Sequence, residues 1–357
     1  DGNTPTASST FNIAVGSPPA GSIITSNELT DVGGEGIIIS RNDENVTNNL
    51  GNISLRNNTE QGILVFNDAS ATRIRSDAGS GIVRDNTITG GAAILVNDDG
   101  IAPVAPYPTP APVFSYFGTI NNAAPGSYLL TVNGSNEDTL PGPVSRGSIT
   151  LDGPGTTPFQ DTGNGVYLQS VDATVSVTGA SLASTGQNGI LINGGAGTYA
   201  FNNISVTGGT TAGVLITDRA TSPGDQTIFS NLTITNSTGF GLSASGGGTI
   251  TIGGISNITT TSPTLSAIHT YVPTSTDNTA LSFTLQTVTS ANSNVAATWT
   301  AGPPPVFGAL SFENGSSTGT IDIESAFEVS GAAGTGLNVE NGAGGPIVKV
   351  GAVEISP

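Results

Sequence analysis

The chain has no cysteine, no methionine, one histidine, one tryptophan and one lysine in 357 residues. Without cysteine there can be neither disulfide staples nor thiolate-ligated metal. With a lone His269, no metal site built from several histidines can form. Basic residues number 8 against 26 acidic ones, for a net charge of −18. The basic residues, Arg41, Arg56, Arg73, Arg75, Arg84, Arg146, Arg219 and Lys349, are scattered along the chain. No basic stripe exists to neutralise a phosphate backbone or an anionic bilayer, so nucleic-acid and membrane-surface roles are excluded. No apolar run is long enough to span a bilayer as a helix, so direct membrane insertion is not expected. Aromatic residues make up only 5% and hydrophobic residues 36%, lean for a globular enzyme. The sequence starts at Asp1, as expected of a processed mature chain or an excised segment.

What the chain does have is 50 glycines, 21 prolines and a recurring phrase. A small residue followed by an aliphatic appears at Gly36-Ile37, Gly62-Ile63, Gly165-Val166, Gly189-Ile190, Gly213-Val214, Gly241-Leu242, Ala267-Ile268, Ala309-Leu310 and Gly336-Leu337. Within each clear run the spacing is 24 to 28 residues. A fixed period of that size signals stacked coils, because one unit cannot bury its apolar face alone. In the clearest stretch each coil holds three short alternating runs, such as Gly189-Ile-Leu-Ile, Tyr199-Ala-Phe and Ile204-Ser-Val-Thr. Alternation at period two sends one face inward and the other to water. No helical period persists.

Glycine or asparagine sits where the backbone is expected to turn sharply. Asn-x-Ser/Thr triplets at Asn45, Asn52, Asn57, Asn133, Asn203, Asn231, Asn236, Asn257 and Asn314 read in two ways. They are glycan acceptors in a glycosylating source, or corners in which Asn takes a left-handed conformation. The corner reading is the stronger. It predicts an axial amide ladder at Asn203 and Asn231, and an interior ladder of Ile37, Ile63, Ile190, Val214, Leu242, Ile268 and Leu337.

These Gly-aliphatic and Asn-aliphatic-Thr/Ser phrases resemble the right-handed parallel β-helix superfamily of pectate lyase-like enzymes, phage tailspikes and autotransporter passengers. The resemblance covers about three quarters of the chain. It implies an all-β, right-handed parallel β-helix with three short strands per coil and loop insertions. The expected divisions are an N-terminal arm or cap over 1–16, coils over 17–97, an insertion over 98–158, and coils over 159–357 with an elaborated region near 271–308. The insertion contains the proline-rich run from Ile101 to Pro112, and Trp299 and Pro303–Pro305 mark the second break. Tyr107, Phe114, Tyr116, Phe117 and Tyr128 crowd into the 98–158 stretch, either as an exposed aromatic surface or as anchors pinning it to the coils. The second reading is favoured.

The chemistry of the enzymes in that superfamily is largely missing. Their sites combine calcium with a basic residue, or three Asp with Gly-His-Gly and Arg-Ile-Lys. Here Arg73-Ile74-Arg75 and Asn97-Asp98-Asp99 are present, but His269 lies in Ala-Ile-His-Thr. Asp98 and Asp99 are candidate acid and base, although neighbours in a strand point to opposite faces. Asp43, Glu44, Asp98 and Asp99 are the candidate calcium ligands. The acidic turns at 42–45 and 136–138 follow no EF-hand or nonapeptide pattern, and solvated turns are the favoured reading. No other cofactor is expected.

By elimination the sequence reads as a non-enzymatic, secreted, cell-surface β-solenoid: a building block of a filament, fibre, sheath or adhesin stalk. It would self-assemble through its ends and through an N-terminal arm in which Phe11, Ile13 and Val15 fill a neighbour's pockets. Alternatively the arm caps its own first coil. The competing class is a polysaccharide-processing or polysaccharide-binding β-helix, a lyase or glycoside hydrolase among them, with carbohydrate as its partner.

Overall fold

The structure is a computed structural model. It describes residues 13–15, 23–30, 37–40, 47–56, 61–66, 71–74, 86–89, 92–98, 113–123, 126–134, 147–184, 186–219, 225–246, 248–262, 265–271, 279–290, 310–313, 317–330, 337–340, 347–351 and 353–356. All regular structure among them is β-strand, every recorded pairing is parallel, and none is a helix able to cross a membrane. The chain divides into two compact units, Asp1–Ser181 and Leu182–Pro357.

In the first unit one sheet runs through Ile13–Val15, Ile37–Ser40, Gln61–Phe66, Ala92–Asp98, Leu130–Gly134 and Val166–Gln169, each in register with the next. One register column is Ile13, Ile37, Ile63, Ile94, Leu130 and Val166, and its last four members are buried. Each repeat also sends two runs to a second sheet. One series is Ala71–Ile74, Val113–Phe117, Ser148–Asp152 and Thr174–Ser184. The other is Thr87–Thr89, Thr119–Asn122 and Phe159–Asp161. Thr47–Arg56 spans both positions in one strand, pairing with Ala71–Ile74 and Thr87–Thr89.

The second unit repeats the arrangement. Asn188–Asn193, Ala212–Arg219, Phe240–Gly246, Ile268–Tyr271, Leu310–Glu313 and Leu337–Glu340 align Ile190, Val214, Leu242, Ile268, Leu310 and Leu337. Ile190 through Leu310 of that column are fully buried. Facing it, Thr198–Gly208 pairs with Gln226–Ser237, and this strand with Gly248–Gly253 and Asn257–Thr260. Thr279–Ser290, Ser317–Ser330, and then Ile347–Val350 with Val353–Ser356 complete the series. The interior is a thin layer of aliphatics and stacked rings. Phe201 lies on Phe229 at 5.2 Å and 15°.

The expected ladder therefore forms within each unit, and its cause is partly different from the one read in the sequence. Gly189, Gly213 and Gly241 do not occupy the left-handed region. Each lies where the backbone passes close to a side chain of the facing sheet. A Cβ on Gly213 would stand 2.6 Å from Ile234 Cγ2, and one on Gly241 would stand 2.5 Å from both Ile258 Cγ2 and Ala267 O. Glycine is required there by packing. At the opposite corner the expected reason holds. Asn203 and Asn231 have φ of 53° and 57°, and Asn231 Nδ2 donates to Asn203 Oδ1 at 2.8 Å. Asn231 Oδ1 then accepts from Ile255 N at 2.9 Å. The next corner carries Gly254, at φ 69°, where a Cβ would strike Asn231 Oδ1.

The segment expected as an insertion is largely built into the stack. Val113–Phe117, Thr119–Asn122, Leu130–Gly134 and Ser148–Asp152 all pair with strands on both sides. The anchor Leu130 escaped the sequence pattern because Leu129 precedes it in place of a small residue, whereas Ala93-Ile94 fits the phrase and joins the column. Near 271–308, Thr279–Ser290 is a full ladder strand, and Trp299 lies outside the described residues.

Candidate functional site

The expected site residues do not come together. Phe114 and Tyr116 are buried core residues, which overturns their place on an exposed aromatic surface. Alternation over Val113–Phe117 points both inward, where Tyr116 packs against Phe159 at 6.4 Å and donates its hydroxyl to Thr119 O at 2.9 Å. Phe117 is half-buried, and Tyr107 lies outside the described residues. Phe11 also lies outside them, while Ile13 and Val15 form a strand paired with the chain's own Ile37–Ser40. The capping alternative, in which the arm lies on its own first coil, is thus the arrangement seen. Asp43, Glu44 and Asp99 fall outside the described residues. Asp98 ends its strand opposite Gly134. Among the described residues no group of three His, Asp or Glu side chains is placed to hold a metal. His269 is half-buried, stacked on Phe240 at 4.8 Å and 3.2 Å from Ser243 Oγ through Nδ1.

The site that the structure does assemble is at a corner of the first unit. Phe159–Asp161 alternates in, out, in, so Asp161 points into the coil and is only 1% exposed. Asn122 is its register partner on the adjacent strand and is also fully buried. Asn122 Nδ2 donates to Asp161 Oδ1 at 2.6 Å. The backbone then bends through 162–165 to reach the anchor strand Val166–Gln169. Within the bend Gly163 N donates to Asp161 Oδ1 at 3.2 Å, and Gly165 N donates to Oδ2. Ser127 Oγ contacts the Asn122 amide at 2.8 Å. Burial pushes the Asp161 carboxyl up to about 6, opposed by the N–H groups of Gly165 and Gly163 and by Asn122. Every polar contact recorded on the carboxylate is a donor, an arrangement that holds an anion in place.

This node fixes two loops. Asn164 N donates to Ser127 O at 2.7 Å, and Leu129 N donates to Gly165 O at 2.8 Å. Asn164 Nδ2 reaches Gly126 O at 2.8 Å. Outside the node sit Tyr128 and Tyr167, with ring centroids 5.4 Å apart and planes at 31°. The Asn164 side chain bonds Tyr128, and Tyr167 Oη donates to Gln169 Oε1 at 2.9 Å. Burial, followed by the neighbouring Tyr167, raises the Tyr128 phenol above its ordinary value.

No chemical step follows from this geometry. Ser127 touches Asn122 and not the carboxylate, and Asp161 is committed to three donors. The sequence held a partial signal, Asp161-Thr-Gly-Asn-Gly165 ahead of an anchor. The partnership with Asn122 could not be read, because it depends on a register 39 residues apart. No family model, curated protein or solved structure matches this chain.

Proposed function

We propose that this chain is a structural β-solenoid, a right-handed parallel β-helix that builds an extracellular, cell-surface filament by joining end to end. The observation that carries this reading is an apolar column left open to solvent, where exposed Val353 stands in register on buried Phe327. In the second unit Val348, Val350 and Val353 continue the interior columns of Ile321, Ile323 and Phe327. Phe327 is 4% exposed, whereas Val353 beneath it is 59% exposed. Leu337–Glu340, Ile347–Val350 and Val353–Ser356 each have a strand partner on one side only among the described residues. In the first unit the same holds for Ile13–Val15 and Ile23–Thr30. Open parallel edges over uncovered apolar columns favour pairing with another set of parallel strands. A contact between unlike ends does not close on itself and propagates.

The parallel pairing and the three runs per repeat support the β-helix reading. The sparse catalytic inventory supports a structural role over the lyase or hydrolase alternative. In this reading the N-terminal strand acts as part of the first coil's edge and not as a free arm. Val353→Lys places a charge in the proposed contact at a position already open to solvent. That variant is expected to remain folded and monomeric at concentrations where the parent assembles. Deleting residues 1–16 removes the strand Ile13–Val15 of the first unit and should also stop assembly. Assembly of the Val353→Lys chain at the parental concentration would refute the end-to-end contact.

A further inference from the structure

We propose that Tyr128 and Tyr167 form a site of oxidative coupling, at which a dityrosine bond staples two adjacent coils of the first unit. Tyr128 leads into the strand Leu130–Gly134, and Tyr167 lies in Val166–Gln169, which pairs with that strand in parallel register. The ring centroids are 5.4 Å apart with planes at 31°, within the range of direct ring contact. The hydroxyl ends converge as well, because charge on the Tyr167 phenol is felt at Tyr128. The carbons that couple are those ortho to each hydroxyl, so they lie at the converging ends. Both rings are half-buried and keep an edge open to a reagent. Tyr116 and Tyr199 are fully buried and offer no such edge.

The chemistry balances with hydrogen peroxide acting through a one-electron oxidant of the haem-peroxidase class. Each phenol gives up one electron and its hydroxyl proton, leaving a phenoxyl radical whose spin is shared with the ortho carbons. One ortho carbon of each ring joins the other in a new C–C bond. The hydrogen on each of those carbons then moves to the adjacent oxygen and restores both phenols. The chain loses two hydrogens, and one hydrogen peroxide is reduced to two waters. The backbone beneath holds the pair for this step. Asn164 N donates to Ser127 O and Leu129 N donates to Gly165 O, so the segments carrying the two tyrosines are tied to each other. Buried Asp161 fastens the bend between them through Gly163 N and Gly165 N. The chain has no cysteine, so no disulfide can join one coil to the next. A bond from 128 to 167 would do the same work, by closing a loop in the unfolded chain and removing its conformational freedom. This inference does not depend on filament formation, because both rings lie in one chain.

The test treats the 357-residue chain with a haem peroxidase and hydrogen peroxide at high dilution. The expected product is a monomer lighter by two hydrogens and showing dityrosine fluorescence. Arg146 lies between the two tyrosines, so tryptic cleavage there should leave two peptides joined only by the new bond. The urea midpoint of the coupled monomer should rise. Tyr167→Phe keeps the ring and loses the hydroxyl. It should fold as the parent does, form no dityrosine within the monomer, and show no rise after the same treatment. An unchanged monomer mass, a crosslink mapping to other residues, or dityrosine persisting within the Tyr167→Phe monomer would overturn the proposal. So would coupling of the parent with no rise in its midpoint.

Discussion

Replacing Gly213 by Ala adds one methyl group, and the structure makes its cost calculable. The new Cβ would stand 2.6 Å from Ile234 Cγ2 and 2.9 Å from Gly241 O. Carbon atoms in good contact lie about 3.5–4.0 Å apart, so the overlap is about 1 Å. Overpacking of this kind costs about 1–3 kcal/mol. A Gly-to-Ala change also stabilises by about 0.4–1 kcal/mol through the unfolded chain. The net expectation is a loss of about 1–2 kcal/mol in urea unfolding followed by circular dichroism. Gly253→Ala is the matched control, because nothing lies within 4 Å of its Cβ and its φ is outside the left-handed region. That variant should gain about 0.4–1 kcal/mol. The double variant isolates the contact. With Ile234 cut to Ala, Cγ2 is gone and the cost of Gly213→Ala should fall by about 1 kcal/mol or more. An equal cost of Gly213→Ala in both backgrounds would refute the argument that packing against the facing sheet requires this glycine.

Three other perturbations probe different parts of the fold. Asn231→Ala removes the bonds to Asn203 and Ile255 and puts Cβ on a residue at φ 57°, for a loss of about 2 kcal/mol by urea unfolding; Asn231→Gly should recover the backbone share. Ile190→Asp buries an unpaired charge in the second unit and should cost more than about 4 kcal/mol, with an unchanged melting midpoint contradicting its inward placement. Asp161, at about 6 in the folded chain against an ordinary value near 3.8, is protonated more readily folded than unfolded, so its contribution to stability is greatest below about pH 4 and falls by about 3 kcal/mol as pH rises past 6. Asp161→Asn should flatten that part of the stability profile, and an identical profile in the variant would show that the group does not carry it.

Much of the fold was legible because period and alternation are local. The Gly-aliphatic phrase marked most anchors of the inward column, and Asn203 and Asn231 announced their corner because few residues besides glycine accept a left-handed backbone. The phrase failed where the physical need differed. Leu129-Leu130 occupies the same ladder without a preceding small residue, so its coil was hidden and the residues around it read as an insertion. For Phe114 and Tyr116 two readings stayed open, surface or anchor, because without the register a crowded aromatic stretch looks alike inside and out. The Tyr128–Tyr167 pair and the Asp161–Asn122 contact join residues 39 apart in sequence in both cases, and only the stacking of whole coils brings them together.

Electron microscopy of the purified 357-residue chain, compared at the same concentration with Val353→Lys, tests whether the coils join end to end. The account predicts unbranched filaments of uniform width from the parent and single particles from the variant. Isolated particles from the parent at high concentration, or filaments from both, would contradict it.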